Sequence, residues 1–174
     1  QGDLIVSALT STERVRFATL GNHDVIVTGD LTVSNNGFLP TDAAITLASG
    51  RDIRFNAVNV TAVGSGGIRI DAARTFDAVA TDLCCSSGIV RTLSAPGDIR
   101  INATAGAITR SADDILNISG RDIGLTTGGA IDYFGNATAS RDLSAAFGGS
   151  FADNVIASVG RTLSLTATTG NLTV

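Results

Sequence analysis

A short phrase returns along this 174-residue chain. It reads GRDIRFNA at 50–57, GRDIGLTT at 120–127, SRDLSAAF at 140–147 and GRTLSLTA at 160–167. Looser copies are TGDLTVSN (28–35), ARTFDAVA (73–80) and PGDIRINA (96–103). Aligned on the apolar residue of the phrase, the set is Leu4, Leu31, Ile53, Phe76, Ile99, Ile123, Leu143 and Leu163, at spacings of 27, 22, 23, 23, 24, 20 and 20. Asp or Thr precedes each. A period this short belongs to a repeat architecture, in which one small unit buries its apolar face only by stacking on its neighbours.

The local pattern says which unit. After each anchor the apolar residues alternate, as in Ile53, Phe55, Ala57 and in Ile99, Ile101, Ala103 and in Leu163, Leu165, Ala167. That is the period of a half-buried strand, not of a helix. A second strand follows a glycine turn in GGIRIDA (66–72), GAITRSA (106–112), GGAIDYF (128–134) and GNLTV (170–174), and a third closes the unit in DILNIS (114–119) and VIASV (155–159). The polar composition agrees: all twelve basic residues are Arg, Glu13 is the one Glu, and Asp, Asn, Gly, Ser and Thr fill the polar positions. Long exposed helices favour Lys and Glu, whereas these residues favour turns and strands.

The expected fold is all-β, a right-handed parallel β-helix of about eight coils with 20–24 residues each. It forms a single segment over 1–174, with 1–29 less regular. Leu31, Ile53, Phe76, Ile99, Ile123, Leu143 and Leu163 are expected to stack as one buried column at the parallel-strand spacing of about 5 Å. Strict alternation would bury Arg51, Arg121 and Arg141, which an unpaired charge forbids. The strand therefore starts at the Asp, with the Arg in the preceding corner. Stacked Asp residues repel, so the neighbouring Arg side chains or turn amides are expected to offset them.

The net charge of −4 argues against nucleic acid as a partner, and no apolar run approaches the roughly 18 residues of a membrane helix. Met is absent and Gln1 leads straight into GDLIVSA, so the chain reads as a piece of something longer, with end coils finished by further chain or by another copy stacked head to tail. His23 is the lone His, which disfavours His-based metal sites. Asp71 in GSGGIRID (64–71) supplies too few oxygens for calcium. No cofactor or catalytic constellation is expected. Cys84 and Cys85 are adjacent; they read as one buried and one exposed thiol, as a strained vicinal disulfide, or as an intermolecular cross-link. Asn59, Asn102, Asn117, Asn136 and Asn171 begin N-x-S/T sequons, which are glycosylation candidates or a by-product of strand alternation.

The recurring G-R-D-I/L-x-L-T-x and G-G/A-x-I-T elements, from about Asp30 to Val174, resemble the repeat region of filamentous haemagglutinin-like exoproteins, the adhesins of bacterial two-partner secretion. The resemblance implies a long shaft exported through an outer-membrane partner protein and displayed on, or shed from, the bacterial surface. The matching part is the central shaft; neither the Asn-Pro-rich secretion domain nor a toxin module is seen. Three functions follow for comparison: a structural and adhesive shaft without enzymatic activity, a glycan- or receptor-binding β-helix, and a polysaccharide lyase or hydrolase.

Overall fold

The computed structural model describes residues 2–56, 58–78, 90–110, 114–132, 135–151 and 155–169. Among these residues twenty strands follow one another with no helix between them. The first coil holds β1 (Leu4–Val6), β2 (Leu9–Ser11) and β3 (Val15–Ala18), and the second β4 (Val25–Val27), β5 (Leu31–Asn35) and β6 (Ala43–Ser49). The third holds β7 (Ile53–Phe55), β8 (Asn59–Gly64) and β9 (Gly67–Ala72), and the fourth β10 (Phe76–Ala78), β11 (Val90–Ser94) and β12 (Ile99–Ala103). The fifth holds β13 (Ile108–Arg110), β14 (Ile115–Gly120) and β15 (Ile123–Thr127), and the sixth β16 (Ile131–Asp132), β17 (Gly135–Ala139) and β18 (Asp142–Phe147). The seventh holds β19 (Val155–Val159) and β20 (Thr162–Ala167), preceded by a bridge from Phe151 to Ile131.

Every third strand pairs in parallel. Sheet A is β1-β4-β7-β10-β13-β16, sheet B runs from β2 to β19, and sheet C from β3 to β20. The chain is thus an all-β parallel β-helix. Even the less regular first coil pairs in register, with Leu4 beside Val25, Leu9 beside Leu31 and Val15 beside Ile45.

The core is one cluster filled from all three sheets. Like side chains stack in it. In sheet C, Ile45, Ile68, Ile99, Ile123 and Leu143 form one column, and Leu47, Ile70, Ile101, Leu125 and Ala145 the next. Where that second column narrows to Ala145, the third widens from Thr127 to Phe147, which keeps the layer filled. In sheet A, Phe55 meets Phe76 edge to face at 5.0 Å between ring centres, a favoured aromatic geometry.

The single anchor column is corrected. Leu4, Ile53 and Phe76 lie in sheet A, Leu31 in sheet B, and Ile99, Ile123, Leu143 and Leu163 in sheet C. Phe76 and Ile99 are two strands of the same coil, so eight anchors give seven levels among the described residues. The cause is the long fourth coil. Asp77 and its neighbour Thr109 one level up are 32 residues apart, so the spacing of 23 from Phe76 to Ile99 imitates a repeat without closing one. GGIRIDA likewise supplies β9 of sheet C, while GAITRSA and GGAIDYF supply β13 and β16 of sheet A. Leu163 is 51% exposed, because β20 is the edge strand of sheet C among the described residues. The expected inward Ala57 lies outside the described residues.

Candidate functional site

The Arg-Asp pair of the repeated phrase proves to be a ladder joint. Arg51 donates from Nε and Nη2 to the two carboxylate oxygens of Asp24, one coil below, at 2.5 and 2.7 Å. The Asp52 amide donates to the same carboxylate at 3.1 Å. One level up, Arg74 grips Asp52 through Nε (2.8 Å) and Nη2, and the Thr75 amide adds a third bond at 3.1 Å. Asp24 itself sends its amide to Asp3. Thr75 stands where the next Asp would be, and the ladder stops there.

A second ladder starts on the corner before sheet C. Arg121 reaches Asp98, Arg141 takes both oxygens of Asp122 at 2.9 and 2.6 Å, and Arg161 takes both of Asp142. Thr162 ends it. The variations of the phrase therefore have meanings. An Asp without a preceding Arg (Asp3, Asp24, Asp98) lies low in a ladder, Arg-Asp continues it, and Arg-Thr terminates it. The carboxylates of Asp24, Asp52 and Asp98 are almost fully buried, which is tolerable because each is met by a guanidinium, through both oxygens at Asp24 and Asp52 and through Oδ1 at Asp98. Arg51 and Arg74 hold Asp24 and Asp52 below the usual carboxylate range against the opposing effect of burial, and Arg161 brings Asp142 down to about 2.

Asp77 is the exception. Burial raises its pKa, and the bond from the Thr109 hydroxyl at 2.9 Å only partly opposes this. Arg91 is fully buried. Its Nη1 lies 3.0 Å from a carboxylate oxygen of the buried Asp114, and its Nε donates to the Phe55 carbonyl at 3.1 Å. Nothing in the local pattern announces this pair, since Arg91 occupies an inward position of β11 that alternation assigns to an apolar residue.

The four sequons among the described residues fall on strands. Asn59, Asn117 and Asn136 share one outward column of sheet B with Thr92, and Thr61, Ser94, Ser119 and Thr138 form the adjoining column. Oδ1 of Asn117 accepts both the amide and the side-chain Nδ2 of Asn136, at 3.1 and 3.2 Å, and the Asn59 amide donates to Asp30. Asn102 lies in sheet C and donates to Asp71 at 2.7 Å. Asn59 and Asn136 are exposed, Asn102 and Asn117 half-buried. Asn171, Cys84 and Cys85 lie outside the described residues. Oδ1 of Asp3 is 3.8 Å from Nδ1 of His23, and Asp71 also accepts from Arg69 at 2.5 Å.

The outward face of sheet C carries a groove of about 560 Å³ over β9, β12, β15 and β18. Arg69, Arg100, Gly124 and Ser144 stand in one column across it, and Asp71, Asn102 and Thr126 in the next. Asp122 and Asp142 form its wall, each already held by an Arg of the ladder. Arg100 and Arg69 project, with side chains 63% and 57% exposed. Sequence reading missed this site, because its residues come from four coils and no single phrase contains more than a few of them.

Among the described residues no helix is long and apolar enough to cross a membrane. No family model, curated protein or solved structure matches the chain.

Proposed function

We propose that this chain is a structural shaft segment of a bacterial extracellular filamentous adhesin of the haemagglutinin-like, two-partner secretion kind. Its role is to project binding or effector regions from the cell surface, without enzymatic activity. The observation that carries the reading is the unbroken parallel stacking of all three sheets. Such a stack resists bending and adds length by repetition, which is what a shaft requires. The two Arg-Asp ladders support it further, since each joint ties one coil to the next.

The proposed partners are an outer-membrane secretion protein, an unidentified surface ligand, and other copies joined head to tail. Antibodies raised against this segment and imaged on intact producing cells test the proposal. Labelling along surface fibres, lost when the secretion partner is deleted, is the expected result. A protein that stays inside the cell and forms no fibre overturns it. The second reading, a glycan- or receptor-binding β-helix, is favoured by one observation, the sheet C groove. The third, a lyase or hydrolase, predicts turnover of pectin, alginate or glycosaminoglycan that a single Asp substitution abolishes.

A further inference from the structure

The groove on sheet C breaks two habits, one kept along the ladders and one kept inside the other strands among the described residues. The first concerns charge. Along the ladders each stacked Arg lies against an Asp of the coil below. In the groove Arg100 stands directly beside Arg69 on the adjacent strand, and like charges in register are destabilising. Arg69 is offset by Asp71. Arg100 comes only within 3.6 Å of Asp98, whose carboxylate is already engaged by Arg121.

The second habit concerns the strand interior. Gly124 is the second residue of β15, in regular register with Arg100 below and Ser144 above. A glycine there weakens a strand and normally marks a bulge, a tight backbone approach or a bound ligand. There is no bulge at this point. A Cβ would meet only Ser144 Oγ at 3.7 Å and Arg100 Cγ at 3.9 Å, both ordinary contacts. Packing does not require the glycine; what it leaves is the hollow between Arg100 and Ser144.

We infer that this groove is a docking site for an acidic saccharide chain, its carboxylates on Arg69 and Arg100 and its hydroxyls on Asn102, Thr126 and Ser144. The wall carboxylates Asp122 and Asp142 are each neutralised by a ladder Arg, so the projecting charges of the groove are Arg69 and Arg100; they favour an anion, and their guanidinium forks suit a carboxylate. The hydroxyl and amide groups around them suit a polyhydroxylated chain. An acidic peptide fits less well. A bound peptide takes much of its affinity from a free strand edge, and β12 and β15 are paired on both sides. The site does not depend on the shaft reading: a shaft and a free-standing binding domain could each carry it.

Calorimetry with the full chain tests the inference, using oligogalacturonate as the probe. Methyl-esterified oligogalacturonate, dextran sulfate and polyglutamate are the comparison ligands. Oligogalacturonate is expected to bind and to weaken with added salt, while its methyl ester does not bind. Arg100→Gln should lower affinity about tenfold or more, the loss of one charge-assisted hydrogen bond. Gly124→Val should abolish binding by filling the hollow, with the melting temperature unchanged or raised. If Gly124→Val fails to fold, the exposed Arg100→Gln carries the test alone. No binding at millimolar oligogalacturonate overturns the inference. So does equal binding of polyglutamate or dextran sulfate, which would be unspecific attraction of polyanions, and so does affinity untouched by both substitutions.

Discussion

Arg51 and Asp24 lie 27 residues apart in sequence, yet the guanidinium of one closes on both carboxylate oxygens of the other across a coil boundary. The same contact recurs between Arg74 and Asp52, Arg141 and Asp122, and Arg161 and Asp142. A phrase repeated within each coil is thus satisfied only between coils. This explains why both members of the pair return together.

The ladder joints differ in burial, and their removal should differ in cost. Asp98 is 5% exposed and Asp142 about 30% at the side chain. Arg121→Ala removes the nearest cation from a buried carboxylate, leaving it Arg100 at 3.6 Å, and should cost about 3 kcal/mol, at the low end for breaking a buried pair. Arg161→Ala leaves its partner in contact with water and should cost much less. Urea unfolding of the two variants checks the ranking, and equal losses would refute the burial argument.

The ladder also predicts a pH dependence. A carboxyl whose folded pKa is depressed binds fewer protons folded than unfolded. Its stabilisation is complete above the unfolded value, about 3.9 for Asp, and is lost as pH falls through the folded value. For Asp142 that window runs from the ordinary value down to about 2. Carboxyl NMR titration should find Asp142 titrating near the bottom of the window, and returning toward 3.9 in Arg161→Gln. A normal titration in the unaltered chain would contradict the joint.

Asp77 has the opposite sign. Its pKa is raised by burial, so its folded form holds the proton more tightly. The charged form therefore costs stability once pH rises through the unfolded value toward neutrality. Asp77→Asn keeps an oxygen to accept the Thr109 hydroxyl and removes the charge. It should raise the melting temperature at pH 7, with the gain vanishing at pH 3. A loss at pH 7 would show that the charge is compensated.

The buried pair of Arg91 and Asp114 is a separate test. Arg91→Met leaves the Asp114 carboxylate without this cation and should cost about 3–5 kcal/mol. Adding Asp114→Ala should recover part of that loss, since the second substitution removes the charge that the first exposed. A double variant as damaged as the sum of two singles would mean that the two residues act independently.

Much of the fold was legible before any coordinates. Alternation in IRINA and IGLTT gave β12 and β15 because a two-residue period has one structural meaning, and the Arg-Asp corner followed from the cost of burying an unpaired guanidinium. The column assignment was not legible. Phe76 and Ile99 carry the same phrase at the repeat spacing, but one opens sheet A and the other opens sheet C in a single long coil. Sequence distance alone does not report where a coil closes.

The groove lay further out of reach. Arg69, Arg100, Gly124 and Ser144 are spread over 76 positions and become neighbours through strand pairing alone. By itself the sequence determined that this chain is a stack of short parallel strands, because local alternation and the short repeat admit few other solutions. Only the tertiary structure decided which coil lies on which. Register is a long-range choice, made by core columns and ladder joints that bring together residues the chain keeps 19 to 33 positions apart.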